Sequence, residues 1–122
     1  MYEPVAIILA AGEGKRMGIP KAVLEHGRGR SFLQTLSKTF QKAGCRVLAV
    51  VGAGLEEIRQ HPTRAALIET PDWQSGQFSS VKVGLRIALE EGAGTVLIQP
   101  VDVPLLRAST IKAVLEALEG HE

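Results

Sequence analysis

Four short apolar runs along the chain predict buried β-strands. They cover residues 5–10, 47–51, 66–68 and 95–98. Each run is too short for a core helix and is followed by turn residues, which is typical of a strand. Because apolar residues are nearly continuous within the runs, they indicate a parallel sheet that is covered on both faces.

Four stripes of apolar residues at helical spacing lie between and after these runs. The first is formed by Phe32, Leu33, Leu36, Phe40 and Ala43, the second by Leu55 and Ile58, the third by Val81, Leu85, Ala88 and Leu89, and the fourth by Ile111, Val114, Leu115 and Leu118. Gly44, Pro62 and Gly92 are expected to end the first three helices. Glycine readily adopts the left-handed conformation that ends a helix, and proline cannot continue one.

The resulting order of elements is β-α-β-α-β-α-β-α, which predicts a parallel sheet with right-handed crossovers. We therefore expect one domain, residues 1–122, with an α/β Rossmann-like, doubly wound fold and the strand order 3-2-1-4. In that order the carboxyl ends of the first and fourth strands are neighbours, and ligands of such sheets bind at that edge. No closing strand follows the last predicted helix, so we expect the sheet to be incomplete after it.

Composition narrows the class of protein. The chain has 122 residues, 45% of them hydrophobic and 4% aromatic, with 14 basic and 13 acidic residues and a net charge of +1. This balance argues against wrapping of nucleic acid, which needs a concentrated basic face. The single Cys45 excludes an internal disulfide and a cysteine-based zinc site. With no signal-peptide pattern and no apolar run long enough to span a bilayer, we expect a cytoplasmic protein without a membrane partner.

A glycine-rich loop with basic residues directly follows the first predicted strand. Gly12 and Gly14 lie in it, and Lys15, Arg16 and Lys21 add positive charge. Glycine lets the backbone approach an anion closely and present its N–H groups to it. The loop therefore predicts a phosphate-binding site; a glycine turn without a ligand is the alternative, but it would not need the cations.

Two better-known phosphate loops do not fit this segment. The dinucleotide fingerprint needs a third glycine where Met17 stands, and Gly18 comes one residue late. The P-loop needs Ser or Thr after Gly-Lys, but Arg16 follows Lys15, and its first glycine would fall at Leu9.

Three motifs in order along the chain resemble the MobA-like nucleotidyltransferases, which include the molybdenum cofactor cytidylyl- and guanylyltransferases. The first motif is Leu9-Ala10-Ala11-Gly12-x-Gly14-x-Arg16-Met17-Gly18-x-Pro20-Lys21. The second is Pro71-Asp72-Trp73-x-x-Gly76-x-x-Ser79-Ser80-Val81-x-x-Gly84-Leu85, whose Trp-x-x-Gly and Ser-Ser features are most similar to the cytidylyltransferase branch. The third is Val101-Asp102-x-Pro104-Leu105. The resemblance implies a nucleotide-diphospho-sugar-transferase-like fold.

The resemblance also implies a reaction and its residues. A nucleoside monophosphate would pass from an NTP, with CTP favoured and GTP the alternative, to a phosphorylated small molecule of the molybdopterin type, releasing pyrophosphate. Arg16 would hold the outer phosphates, Lys21 would stabilise the α-phosphate, and Asp102 would bind Mg²⁺. The remaining nucleotide contacts would come from the loop residues Leu9, Ala10, Ala11, Gly12 and Gly14 and, near the base, from Gly76, Ser79 and Ser80.

Several alternatives stay open. Asp102 could be a turn residue before Pro104, and Ser79 and Ser80 could be helix caps. A nucleotide-binding module without turnover would share the same site. A dinucleotide-binding oxidoreductase domain is disfavoured by the glycine spacing and by the lack of an acidic residue after the second strand.

Carboxylates are scarce around the expected metal site. Asp72 and Asp102 are the two aspartates of the chain, whereas the relatives bring a second metal-binding aspartate from a later segment. We therefore expect the nucleotide-binding half of the family domain, with weak binding of Mg²⁺-NTP and slow or no turnover. Its uncovered sheet edge is expected to favour a homo-oligomer or a partner chain.

Overall fold

The computed structural model describes residues 4–10, 15–16, 19–20, 32–52, 65–70, 77–100 and 107–119. Within them the elements follow the order β1 (Val5–Ala10), β2 (Lys15–Arg16), β3 (Ile19–Pro20), α1 (Phe32–Lys42), β4 (Arg46–Val51), β5 (Ala66–Glu69), α2 (Gln77–Glu90), β6 (Val96–Pro100) and α3 (Ala108–Glu119). No helix in these ranges is both long and apolar enough to cross a membrane.

The main sheet has four parallel strands in the order β5-β4-β1-β6. Numbered along the chain, this is the expected order 3-2-1-4, so the predicted fold class is confirmed. In the register of the sheet, Ile7 of β1 pairs with Leu48 of β4 on one side and with Ile98 of β6 on the other.

The two central strands, β1 and β4, are buried on both faces, which explains why their sequences are apolar without alternation. Successive side chains of a strand point to opposite faces. Accordingly, Ala6 and Ile8 belong to one core cluster, while Ile7 and Leu9 belong to a second. Helix α1 packs on the first cluster through Leu33, Leu36 and Phe40, and Ile111 of α3 joins it there. Helix α2 packs on the second cluster, so the sheet is covered from both sides.

Helices α1 and α2 end as the glycines predict. Gly44 and Gly92 have φ angles of 92° and 81°, in the left-handed region that suits glycine. The N–H of Gly44 donates to the carbonyl of Gln41 at 3.0 Å, and the N–H of Cys45 donates to that of Phe40 at 3.0 Å. This pair of hydrogen bonds is a Schellman motif, and α2 ends with the same pattern. The predicted short helix around Leu55 and Ile58 lies outside the described residues.

Helix α2 approaches the sheet closely at Gly84. A Cβ atom added there would lie 2.7 Å from Cγ2 of Ile7 and 3.3 Å from Cγ2 of Val50. The absence of a side chain at Gly84 therefore lets α2 rest directly on β1 and β4.

One edge of the sheet differs from the rest of the core. No strand among the described residues pairs with the outer side of β6. Ile98 of β6 is 43% exposed, and Val114 and Leu118 of α3 are similarly exposed. The edge strand β6 thus carries one large apolar side chain, Ile98, that is partly uncovered.

Candidate functional site

The carboxyl ends of the parallel strands define one edge of the sheet, and two segments of the predicted site leave from it. Leu9 of β1 pairs with Pro100 of β6, and β1 ends one residue later at Ala10. The glycine loop after Ala10 and the segment toward Asp102 therefore begin on neighbouring strands, about 5 Å apart. This is the edge at which open α/β sheets bind ligands.

Leu9 and Ala10 contribute to this edge through their main chain. Both side chains are buried, Leu9 in the cluster under α2 and Ala10 in the cluster under α1. Their side chains therefore hold β1 in the core, and a ligand beyond the strand end can meet only their backbone atoms.

A short antiparallel pair of strands, which the sequence analysis did not predict, follows the glycine loop. Lys15 pairs with Pro20 and Arg16 pairs with Ile19. Two of the basic residues of the first motif, Lys15 and Arg16, thus lie in one short ribbon. The signal that could have predicted it is Gly18, because glycine at the second of two residues between paired strands is a hairpin signature.

Ser79 and Ser80 lie inside the first turn of α2, since the helix begins at Gln77. The interpretation of these serines as caps is therefore wrong, because a capping residue precedes the first helical residue. Ser80 is 2% exposed and Ser79 is half-buried. Their predicted contact with the base stays a prediction.

Thr70 is a polar residue at the same edge that the sequence analysis did not single out. It directly follows β5, and its backbone N–H donates to the carbonyl of Val51 at 2.8 Å. Its side chain is 1% exposed, and its Oγ1 has no hydrogen-bond partner among the residues that the structure describes. No sequence signal marks it, because threonine is common at strand ends.

Several predicted site residues cannot be placed. The ones outside the described residues are Ala11, Gly12, Gly14, Lys21, Gly76 and Asp102. Across the described ranges, no group of three or more histidine, cysteine, aspartate or glutamate side chains could hold a metal ion. The proposed metal ligand Asp102 follows β6 by two residues, and its role stays a prediction.

Known proteins share this sequence pattern. A family model described as the MobA-like NTP transferase domain matches residues 6–122. A bifunctional protein GlmU from Azorhizobium caulinodans is 37% identical over 116 residues, which make up 88% of this chain and 25% of GlmU. The nicotine blue oxidoreductase of Paenarthrobacter nicotinovorans is 34% identical over 113 residues, or 89% of this chain and 54% of that protein.

Solved structures share the fold. A nucleotidyl transferase from Methanothermobacter thermautotroptrophicus has a TM-score of 0.81 at 20% identity, covering 93% of this chain and 57% of that one. The chain thus spans about a quarter of the GlmU protein and somewhat more than half of the solved structure. Because the family model matches nearly the whole sequence, the chain belongs to the MobA-like NTP transferase domain family.

Proposed function

We propose that this chain binds an NTP with Mg²⁺ and serves the transfer of its nucleoside monophosphate to a phosphorylated small molecule, with release of pyrophosphate. The observation that carries the proposal is the pairing of Leu9 with Pro100. It supports a common site for the glycine loop and Asp102, because both segments start from adjacent strand ends at the ligand-binding edge.

In the proposed reaction, an oxygen of the acceptor phosphate attacks the α-phosphorus of the NTP. The bond from that phosphorus to the bridging oxygen breaks, and pyrophosphate leaves with the electron pair. Both reactants are anions, so the protein must mainly position them and stabilise the charge that develops.

The basic residues supply that charge. Arg16 is proposed to hold the outer phosphates, because the planar guanidinium donates two parallel hydrogen bonds to phosphate oxygens. Lys21 is proposed to lie against the α-phosphate, and the backbone N–H groups of residues 11–14 would contact the triphosphate. Asp102 would hold Mg²⁺, a hard cation that prefers oxygen ligands and neutralises phosphate charge.

The base and the acceptor are proposed by resemblance. The Trp73-x-x-Gly76 and Ser79-Ser80 features favour CTP over GTP, with Ser80 donating or accepting a hydrogen bond at the base. The acceptor is proposed to be of the molybdopterin type. With a single aspartate for the metal, we expect weak binding of Mg²⁺-NTP, because Mg²⁺ held by one carboxylate relies on water and substrate phosphates for its other ligands.

A second candidate is prompted by the relative named nicotine blue oxidoreductase. A nicotinamide dinucleotide would then bind in place of the NTP, at the carboxyl ends of the same strands. The spacing of Gly12, Gly14 and Gly18 argues against it, because the third glycine comes one residue late for the dinucleotide fingerprint.

One titration series tests these alternatives. The purified chain is titrated calorimetrically with CTP, GTP, ATP and NADH at one Mg²⁺ concentration, and pyrophosphate release is then followed with and without a molybdopterin-type acceptor. We expect CTP to bind best and turnover to stay below about 1 per second. Binding of NADH without any NTP would overturn the proposal, and a clear preference for GTP would reverse the choice of base.

A further inference from the structure

Helix α2 meets the sheet with a row of small residues. Ser80, Gly84 and Ala88 are spaced four residues apart, so they lie on one side of the helix. All three are buried, and Ser80 and Ala88 are 2% and 0% exposed. Because small residues fill this side, the helix lies close to the strands.

The packing is tightest for an added side chain at Gly84. A Cβ there would lie 2.7 Å from Cγ2 and 3.1 Å from Cδ1 of Ile7. Carbon atoms pack best about 3.5–4.0 Å apart, so a side chain at this position requires helix and strand to part by about 1 Å. Ile7 is fully buried, and its strand β1 pairs with a strand on each side. Helix α2 is therefore the element that moves.

The level of Gly84 in the fold also sets where α2 begins. The helix follows β5 and precedes β6 in a parallel sheet, so it runs from the carboxyl edge to the amino edge. Gln77, its first residue, is about 10 Å along the helix from Gly84. Ala10, the last residue of β1, is about 10 Å along the strand from Ile7. The first turn of α2 is thus level with the strand end at which the glycine loop begins.

Two parts of the proposed site therefore belong to different elements. The phosphates are proposed to bind at the glycine loop after β1, whereas the nucleoside is proposed to lie against Ser79 and Ser80 in the first turn of α2. Side-chain packing and an exposed ion pair hold α2 on the sheet, while backbone hydrogen bonds hold β1 within it. The separation of the two parts depends on how closely α2 packs at Gly84.

We infer that Gly84 is a positioning residue for nucleotide binding, because its lack of a side chain sets the distance between the first turn of α2 and the end of β1. The inference rests on the proposed function, since it concerns the geometry of the same nucleotide site. Gly84 touches no ligand. It acts through Ser79 and Ser80, which move with the helix.

Isothermal titration of a Gly84→Ala variant with two ligands tests this role. CTP with Mg²⁺ carries the nucleoside, whereas inorganic tripolyphosphate with Mg²⁺ carries only the phosphates. We expect Gly84→Ala to weaken CTP binding about 10-fold, as hydrogen bonds from the two serines are lost. Tripolyphosphate binding should not change, because β1 and its loop stay in place.

Ile111→Val is the control for stability. Ile111 lies in the core cluster on the other face of the sheet, and loss of one methylene there destabilises the chain to a similar extent. Urea unfolding of both variants verifies the match. Ile111→Val should bind CTP like the wild type, so an equal loss of CTP affinity in the two variants would overturn the inference.

A second change tests the cause of the loss. Ile7→Ala, added to Gly84→Ala, removes the two carbon atoms that the new Cβ would meet. We expect this double variant to regain CTP affinity although it is less stable than Gly84→Ala. A folded double variant with the affinity of Gly84→Ala would show that the position of α2 is not the cause. If the double variant does not fold, the comparison with Ile111→Val decides.

The remaining outcomes separate this inference from the proposed function. If Gly84→Ala does not fold, binds CTP as tightly as the wild type, or loses CTP and tripolyphosphate affinity equally, the positioning role is wrong while the proposed function stands. If the wild-type chain binds no NTP, both are wrong.

Discussion

At the carboxyl ends of the strands, some residues pack in the core, and others are proposed to bind the ligand. Leu9 and Ala10 place their side chains in the two core clusters and leave only backbone atoms for a ligand. Arg16 lies beyond the strand end, in the short ribbon opposite Ile19. Arg16, which is proposed to bind phosphate, is therefore not one of the residues whose side chains build these two clusters.

Removal of the Arg16 guanidinium should affect the triphosphate alone. We expect Arg16→Ala to weaken NTP binding about 10-fold or more, since hydrogen bonds to charged groups contribute about 1.5–3 kcal/mol. Binding of the matching nucleoside should not change. Isothermal titration with NTP and nucleoside measures the difference, and equal losses for both ligands would rule out the phosphate role.

Two variants refine this prediction. Arg16→Lys keeps the charge but not the forked geometry, so we expect an NTP affinity between those of the wild type and Arg16→Ala.

Lys21→Ala should lower any turnover more than it lowers NTP binding, because Lys21 is assigned to the charge that develops at the α-phosphate. A Lys21→Ala chain with normal turnover and reduced affinity would reverse the two assignments.

At the scale of the elements, helix α2 is held on the sheet by an ion pair and by close packing, and the two differ in strength. At the amino edge of the sheet, Arg46 at the start of β4 pairs with Glu91 just after α2, through Nε–Oε1 at 2.7 Å and Nη2–Oε2 at 2.9 Å. The pair is partly exposed, so it contributes about 0–1 kcal/mol. The close approach at Gly84 is more demanding, because Ile7 is fully buried and cannot move aside easily. Packing, and not the ion pair, therefore fixes α2 on the sheet.

A side chain at Gly84 should push α2 away from β1. Overpacking of a core costs about 1–3 kcal/mol, while replacing glycine by alanine within a helix gains about 1 kcal/mol. We expect Gly84→Ala to destabilise the chain by about 1 kcal/mol in urea unfolding. Arg86→Ala, an exposed change in the same helix, should stay within about 0.5 kcal/mol of the wild type. A Gly84→Ala midpoint at or above that of the wild type would contradict the packing argument.

At the scale of the whole molecule, the two outermost strands of the main sheet, β5 and β6, differ in length and charge. Strand β5 has four residues and carries the charged Glu69, and both features discourage pairing with another chain. Strand β6 has five residues and no charged side chain. Its Ile98, on the face of the sheet that α2 covers, is 43% exposed. We propose that a second copy of this chain pairs with β6, since a self-complementary edge gives a closed dimer.

A charge at the β6 edge should prevent this association. We expect Ile98→Lys to weaken self-association at least about 10-fold, or roughly 1.4 kcal/mol, because lysine on an edge strand opposes pairing. Sedimentation over a range of concentrations measures the change. Leu89→Lys is the control, since Leu89 is 69% exposed on α2 and not on a sheet edge. Equal effects of the two changes, or a wild-type chain that is monomeric at every concentration, would refute the edge pairing.

The sequence by itself determined the four strands of the main sheet, the helices α1, α2 and α3, the ends of α1 and α2, and the family. It did not predict β2 and β3, and the helix expected around Leu55 and Ile58 lies outside the described residues. The features that it determined are local: runs of apolar residues define β1 and β4, the φ angles open to glycine fix the ends at Gly44 and Gly92, and the loop motif is continuous in the chain. The expected strand order was also correct, but it was inferred from the fold class and not from the residues of any one strand.

Only the tertiary structure decided which residues meet across the sheet. Periodicity within a strand does not specify its register with another, so the pairing of Leu9 with Pro100 depends on how the helices pack on both faces. The close approach of Gly84 to Ile7 likewise arises between chain segments that are distant in sequence. Long-range packing sets these contacts, and no local pattern encodes them.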